Sequence, residues 1–295
     1  VFNAGSTGDK SVTYDSASQK VVIAYKDGGN SNYGTALVGT VSGTGISFGS
    51  EVVFASSITL AIETTFDSAS NKVVISYTNQ DNSNYGTAIV GTVSGTSISF
   101  GTAVVFESAQ AFMKTITFDS TANKVVISYR DMGNSSYGTA IVGTVSSTSI
   151  SFGTPVVYNS AGTENNSSTF DSNSNKVVIA YRDEGNSDYG TAIVGTVSGT
   201  GISFGSEVVF ESNSSDSLRT VFDASNNTVV IGYTTGSKGY VIAGTVSGTD
   251  ISFATRLLFV NNGFNGWAIV YNSTEEKSVI SYRNNANNYG ISIVY

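Results

Sequence analysis

The feature that most limits what this chain can fold into is a sequence that returns on itself about every 52 residues. Tyr14-Asp15, Phe66-Asp67, Phe118-Asp119, Phe170-Asp171, Phe222-Asp223 and Tyr271-Asn272 anchor six copies, at intervals of 52, 52, 52, 52 and 49 residues. A fixed period of this length makes each copy a supersecondary unit that buries its apolar surface against neighbouring copies. Residues 1–295 are therefore expected to form a single domain, although 295 residues would suffice for two.

The fourth copy shows the expected strands most clearly. Ser168 to Asp171 reads as strand A, Lys176 to Arg182 as B, Gly190 to Ser198 as C and Gly201 to Phe210 as D. The run Val177-Val178-Ile179-Ala180-Tyr181 in strand B lacks alternation, which predicts burial on both faces. Between A and B, Asp-Ser-Asn-Ser-Asn supplies side chains that cap backbone groups and tolerate left-handed conformations, and Ser-Gly-Thr closes the C–D hairpin. Gly205 interrupts strand D and predicts a bulge or bend.

Four antiparallel strands in each repeat of this length point to an all-β fold, a six-bladed β-propeller with four-stranded antiparallel blades. The density of β-branched residues and glycine opposes helical repeats, and the rungs of a parallel β-helix are shorter. Aligned on the repeats, Val1-Phe2 matches Val53-Phe54 and Tyr295 falls where the first copy has Gly39. Six copies then lack only the equivalents of residues 40 to 52, so the sixth blade is expected to be incomplete within this sequence, with its strand C edge an open pairing template.

Composition narrows function more than it defines it. Charged residues make up 12% of the chain and the net charge is −8, so the basic stripe that binds a phosphate backbone is missing and nucleic acid is not an expected partner. There is no cysteine and no histidine, which removes disulfides, thiolate metal sites and the commonest general base together. No apolar run approaches the ~20 residues that span a bilayer, so membrane insertion is not expected.

The copies differ from one another unevenly. The A-to-B and C-to-D turns hardly change, whereas the D-to-A connections (for example Asn3 to Lys10, Glu107 to Lys114 and Val260 to Trp267) differ almost completely, and the B-to-C loops differ moderately. In a four-stranded antiparallel blade these two variable connections share one end, which makes that face the expected binding face. Trp267, Phe264, Phe112 and Met113 fall in the variable D-to-A segments, where aromatic and apolar side chains stack on sugar rings, anchor a protein partner or plug the mouth of a channel. Arg130, Arg182, Asp183 and Arg283 are polar candidates for the same ligand-binding face.

Glu63, Glu107, Glu164, Glu211 and Asp216 are read as solvated charge rather than a glycosidase acid pair. The oxygen-rich B-to-C loops do not follow EF-hand spacing, and an Asx turn is the simpler reading. No cofactor is expected, and calcium is the alternative those oxygens leave open.

The consensus NKVVISYRDxGNSxYGTAIVGTVSGTxISFG resembles repeats of predicted proteins from marine bacteriophages and marine microbes, some of them large virion or surface proteins. The resemblance covers essentially the whole chain and carries no catalytic residues. It implies an extracellular or virion-associated setting. Six-bladed fucose lectins have a similar repeat count, but their Arg/Glu/Trp pattern is not reproduced, since only one Trp is present. The expected function is a non-enzymatic recognition or adhesion module whose partner is a glycan or cell-surface receptor. A structural assembly protein, such as a tail fibre, appendage or surface-layer component docking other subunits through the open blade edge, is the alternative, and a polysaccharide-active enzyme the third.

Overall fold

The computed structural model describes residues 1–295. It is strand almost throughout, with two single-turn 3-10 helices at Gln80–Asn82 and Glu184–Asn186. The chain divides into two compact units, one made of Val1–Val156 with Gly199–Gly201 and the other of Val157–Ser198 with Ile202–Tyr295.

In the first unit each repeat builds an antiparallel sheet in chain order. Thr7–Asp15, Lys20–Asp27, Tyr33–Ser42 and Gly45–Phe48 pair successively, with Val21 opposite Gly39 and Gly39 opposite Phe48. The next strand, Val52–Asp67, first runs beside strand C of that sheet, with Val53 opposite Thr35, and then opens the following sheet, with Phe66 opposite Val73. Val104–Asp119 does the same for the third repeat. In the second, third and fourth repeats the D-to-A segment is therefore one continuous strand and not the loop that repeat comparison suggests, its amides and carbonyls finding partners first on one sheet and then on the next. The first, fifth and sixth keep a break, at residues 3–6, at Ser215 and at residues 261–263.

In the second unit the pattern continues through Lys176–Asp183, Tyr189–Ser198, Gly201–Phe204 and Val208–Ser214, then through Asp216–Asp223, Thr228–Thr235, Lys238–Ser247, Asp250–Phe253 and Leu257–Val260. Phe264–Asn272, Lys277–Asn284 and Gly290–Val294 make a three-stranded sheet.

Strand B is buried on both faces, as its unbroken apolar run predicts: Val177 through Tyr181 are each fully inaccessible. The reason is packing of sheet on sheet within each unit. Val22, Ala24 and Val38 of the first repeat meet Ile62, Val73 and Ile75 of the second, and Val178, Ala180 and Val194 of the fourth meet Leu218, Val229 and Ile231 of the fifth. The A-to-B turns are capped as expected. Asp171 Oδ1 accepts from the amides of Asn173 and Ser174 at 2.9 and 3.0 Å, and Asn175 closes the turn at φ 57°.

The break in strand D is real and has a steric cause. Strand D stops at Phe204 and resumes at Val208, and a Cβ on Gly205 would lie 2.0 Å from the Thr249 carbonyl oxygen of the next repeat. A second irregularity carries no mark in the sequence. Strand A bulges in every copy, at Asp9-Lys10, Ala61-Ile62, Met113-Lys114, Asn165-Asn166, Ser217-Leu218 and Gly266-Trp267. The first residue of each pair has positive φ. The second is buried in five of the six, only Lys10 being exposed.

Candidate functional site

These elements open a cleft of about 670 Å³ in the second unit. Val157 to Ala161 forms one wall, the B-to-C loop at Asp183, Gly185 and Asn186 another, and Phe204, Gly205 and Glu207 at the strand D break the third. Glu207 Oε1 is the centre of its polar network, accepting from Tyr181 Oη at 2.7 Å and from Asn159 Nδ2 at 2.8 Å. Asn159 is itself fixed, because its Oδ1 accepts from the Ala161 amide at 2.7 Å. Burial first, and then the Glu207 charge and hydrogen bond, raise the Tyr181 hydroxyl above its ordinary pKa, so it stays a donor. Asp183 is buried and accepts from the Gly185 amide at 2.9 Å. Its burial, with Glu207 adding to it, outweighs those backbone donors and raises its pKa.

The first unit holds the same arrangement 156 residues earlier. Phe2, Asn3, Ala4, Gly5, Asp27 and Glu51 line a cleft of about 570 Å³. Glu51 Oε1 accepts from Tyr25 Oη at 2.7 Å and Asn3 Nδ2 at 2.8 Å, and Asp27 Oδ1 accepts from the Gly29 amide at 2.9 Å. Other copies treat the corresponding tyrosine differently. The second has Ala55 and Ala103 in place of the amide and the carboxylate, and the third has Glu107 and Pro155, with Glu107 accepting from Tyr129 Oη at 2.9 Å. The fifth has Glu211 and Arg256, which form an ion pair while Tyr233 donates to Glu211 at 3.1 Å.

Of the candidate ligand-binding residues singled out in the sequence, Asp183 alone lines the larger cleft. Trp267, Phe264, Phe112 and Met113 all lie in strands, not loops. Trp267 is only 7% exposed, and a Cβ on Gly232 would touch its Cη2 at 2.4 Å, so the indole fills the space that this glycine leaves. Phe264 packs edge-on against Phe259 and Tyr282, and both it and Trp267 border a recess of about 230 Å³. Phe112 is half-buried opposite Arg130, while Met113, first residue of its bulge, is 42% exposed.

Arg182 is consumed internally by Glu164, by Asp216 at 2.6 Å and by Asp188 at 3.5 Å. Those carboxylates outweigh the lowering by burial and raise its pKa. Arg283 is exposed and donates to Asn288 Oδ1 at 2.6 Å. Glu107, Glu164, Glu211 and Asp216 are held by tyrosine or arginine rather than being free solvated charge. In the B-to-C loops, Asp27, Asp131 and Asp183 cap backbone amides in Asx turns.

Asn159, Tyr181 and Glu207 were not singled out by the sequence comparison. The available signal was a coupled pair: Asn and Glu stand 48 residues apart at 3/51 and 159/207, and the second, third and fifth copies change both members together.

No protein-family profile matches the sequence, and no curated protein does. Solved structures do resemble it. AofleA from Arthrobotrys oligospora is similar with a TM-score of 0.58 at 6% identity, over 98% of this chain and 82% of that one. A triple arginine-to-alanine mutant of AofleA gives 0.59 at 6% identity, over 98% and 83%. A protein from Lactobacillus plantarum gives 0.61 at 9% identity, over 99% and 85%. At these identities the likeness is one of fold: an all-β chain of antiparallel sheets.

Proposed function

We propose that this chain is a six-bladed β-propeller acting as a non-enzymatic extracellular or virion-associated recognition module, and that it binds glycan in the two equivalent clefts. The propeller reading is supported by six copies of one antiparallel sheet, by face-to-face packing of successive sheets within each unit, and by the likeness to solved structures over nearly the whole chain.

One observation carries the binding reading: the set Asn, Tyr, Asp and Glu is rebuilt with the same hydrogen bonds in copies one and four, while the copies between them lack it. A packing requirement would act on every copy, and the second copy meets it with two alanines. Each cleft offers fixed carboxylate and amide groups beside an apolar wall of Tyr158 and Phe204, or of Phe2, which is the chemistry that holds a sugar ring by its hydroxyls and its apolar face.

The test is a glycan array probed with the purified chain, with calcium and with a chelator, and repeated with the double variant Glu51→Ala/Glu207→Ala. Selective binding lost in the variant is the expected result. Absence of binding by a folded sample in both conditions overturns the reading.

A further inference from the structure

The residues by which the last repeat interval falls short, 49 instead of 52, come out of one loop. Strands B and C are joined by five residues in each of the first four copies, as at 184–188, and in the fifth by Gly236 and Ser237 alone. In the first, second and fourth copies the long loop is also tied to the strand that follows it: the carbonyls of Asn32, Asn84 and Asp188 accept from the amides of Thr59, Ala111 and Ser215 at 3.2, 3.3 and 3.1 Å. Each of those amides lies three residues before the buried residue of the next bulge. Phe264 stands at that position in the sixth copy, three residues before Trp267, and the shortened loop makes no link to it. A recess of about 230 Å³ opens there, lined by Thr234, Gly236 and Ser237 of the fifth copy and by Phe264, Asn265 and Trp267 of the sixth.

Trp267 is buried, yet its indole N–H has no acceptor. The benzo corner of the ring, Cη2 and Cζ3, fills the space left by Gly232, so the pyrrole edge that carries Nε1 lies away from that glycine. A buried donor left unpaired costs stability that an acceptor in the recess would recover. The rest of the lining defines the molecule that brings this acceptor. It includes no charged side chain, which favours a neutral ligand, and Ser217, Ser237 and Asn265 add hydroxyl and amide groups. Thr234 donates to the Asp216 carbonyl at 3.1 Å and is left as an acceptor. We infer that this recess is a third binding site, separate from the two clefts, and that it takes one neutral hexose ring, a sugar oxygen accepting from Trp267 Nε1 and the apolar face of the sugar lying on Phe264. Its volume is below the range usual for drug-sized ligands, which limits it to a single ring.

Trp267 is the only tryptophan of the chain, so its emission reports on this recess directly. The experiment follows that emission while the whole chain is titrated with glucose, galactose and mannose, and with sodium sulfate as an ionic control. A saturable change with at least one of the sugars is expected, and it should be the same in Glu51→Ala/Glu207→Ala, which disables the clefts. One ring held by few contacts dissociates too fast to survive the washes of a glycan array, so the array reads the clefts and this titration reads the recess. A chain in which residues 236–237 are replaced by the loop sequence of residues 184–188 should lose the response, because the restored loop closes the recess. Trp267→Phe keeps an aromatic ring and removes the N–H; by saturation-transfer NMR it should bind the same sugar at least about tenfold more weakly, the scale of one hydrogen bond to a buried donor. No response to any of the three sugars overturns the inference and leaves the reading of the clefts to the array. An equal response to sulfate, loss of the response in the Glu51/Glu207 variant, or a lengthened loop that folds and still responds overturns it as well. If the lengthened chain does not fold, undiminished binding by Trp267→Phe is the result that overturns it.

Discussion

Tyr181 and Glu207 are 26 residues apart, and the tyrosine hydroxyl donates to the carboxylate at 2.7 Å, with the ring itself fully buried. The contact joins the middle of strand B to the break in strand D of the same sheet. Its counterpart in the second copy, Tyr77, is equally deep in the core but has Ala55 and Ala103 beside it, and burial alone raises its pKa to about 12.

That contrast gives the first prediction. Tyr181→Phe removes a charge-assisted hydrogen bond and is expected to destabilise the protein by roughly 1–2 kcal/mol. Tyr77→Phe removes a hydroxyl without a carboxylate partner and is expected to change stability by less than about 0.5 kcal/mol. Urea unfolding midpoints of the two variants, at equal m-value, check the difference. Equal losses would mean that Glu207 contributes nothing to holding the ring.

Lys114 follows the tyrosines because it is the opposite case, a buried charge rather than a buried hydroxyl. It is 4% exposed at the strand A bulge, donates to Thr78 Oγ1, and feels the carboxylates of Glu63 and Asp9. Burial outweighs both and lowers its pKa to about 7, from an ordinary 10.5. Between those values the unfolded state binds the proton and the folded state does not, so this group makes stability rise as pH increases from about 7 to about 10.5. Lys114→Met should remove that slope and stabilise the protein near pH 7 by an amount on the order of a few kcal/mol. Ile62 and Leu218 hold the same position in other copies, so an apolar side chain fits. Thermal unfolding of both proteins at pH 7, 8.5 and 10 checks it, and parallel curves would refute it.

Two glycines of the repeat differ in what they are for. Gly95 sits in the C–D turn at φ 62° with open space around it, and Ser147 occupies the same place in the third copy at φ 58°. Gly101 lies at the strand D break, where a Cβ would meet the Thr148 carbonyl oxygen at 1.8 Å. Gly95→Ser is therefore expected to cost about 1 kcal/mol or less, from left-handed backbone alone. Gly101→Ala should cost at least about 2 kcal/mol, since two backbones must separate. Denaturation of the two variants side by side distinguishes a conformational glycine from a close-approach glycine.

These comparisons also mark how far the sequence could be read. The unbroken run in strand B, the Asp-capped turns and the break at Gly205 each follow from local chemistry, and all three stand in the structure. Three of the D-to-A segments are unbroken strands although their sequence variety suggests loops. In a strand shared by two sheets the backbone carries the pairing, and the side chains are left free to differ. The strand position of Trp267 is hidden from sequence for a related reason: the bulge that turns it onto Gly232 has no fixed residue type, and the first position of each bulge is Asp, Ala, Met, Asn, Ser or Gly. The Asn159–Glu207 contact was readable in principle as a coupled pair 48 residues apart, but the hydrogen bonds that make it a site appear only once strands B and D lie side by side.

The last prediction uses the fifth copy as a template for closing the fourth. Glu211 and Arg256 stand where Asn159 and Glu207 stand one repeat earlier, and the protein folds with that ion pair in place. The double variant Asn159→Glu/Glu207→Arg transplants the pair: the new glutamate can accept from Tyr181, as Glu211 does from Tyr233, and the new arginine balances it. Stability should change by less than about 1 kcal/mol, because a partly exposed ion pair replaces a hydrogen bond of similar worth. Binding should respond in another way, with the number of sites per chain falling from two to one and the affinity of the cleft at Asn3 and Glu51 unchanged. Calorimetry with the tightest ligand from the array reads both quantities. A variant that melts like the parent and still binds at two sites would show that the cleft at Glu207 is not where the ligand sits.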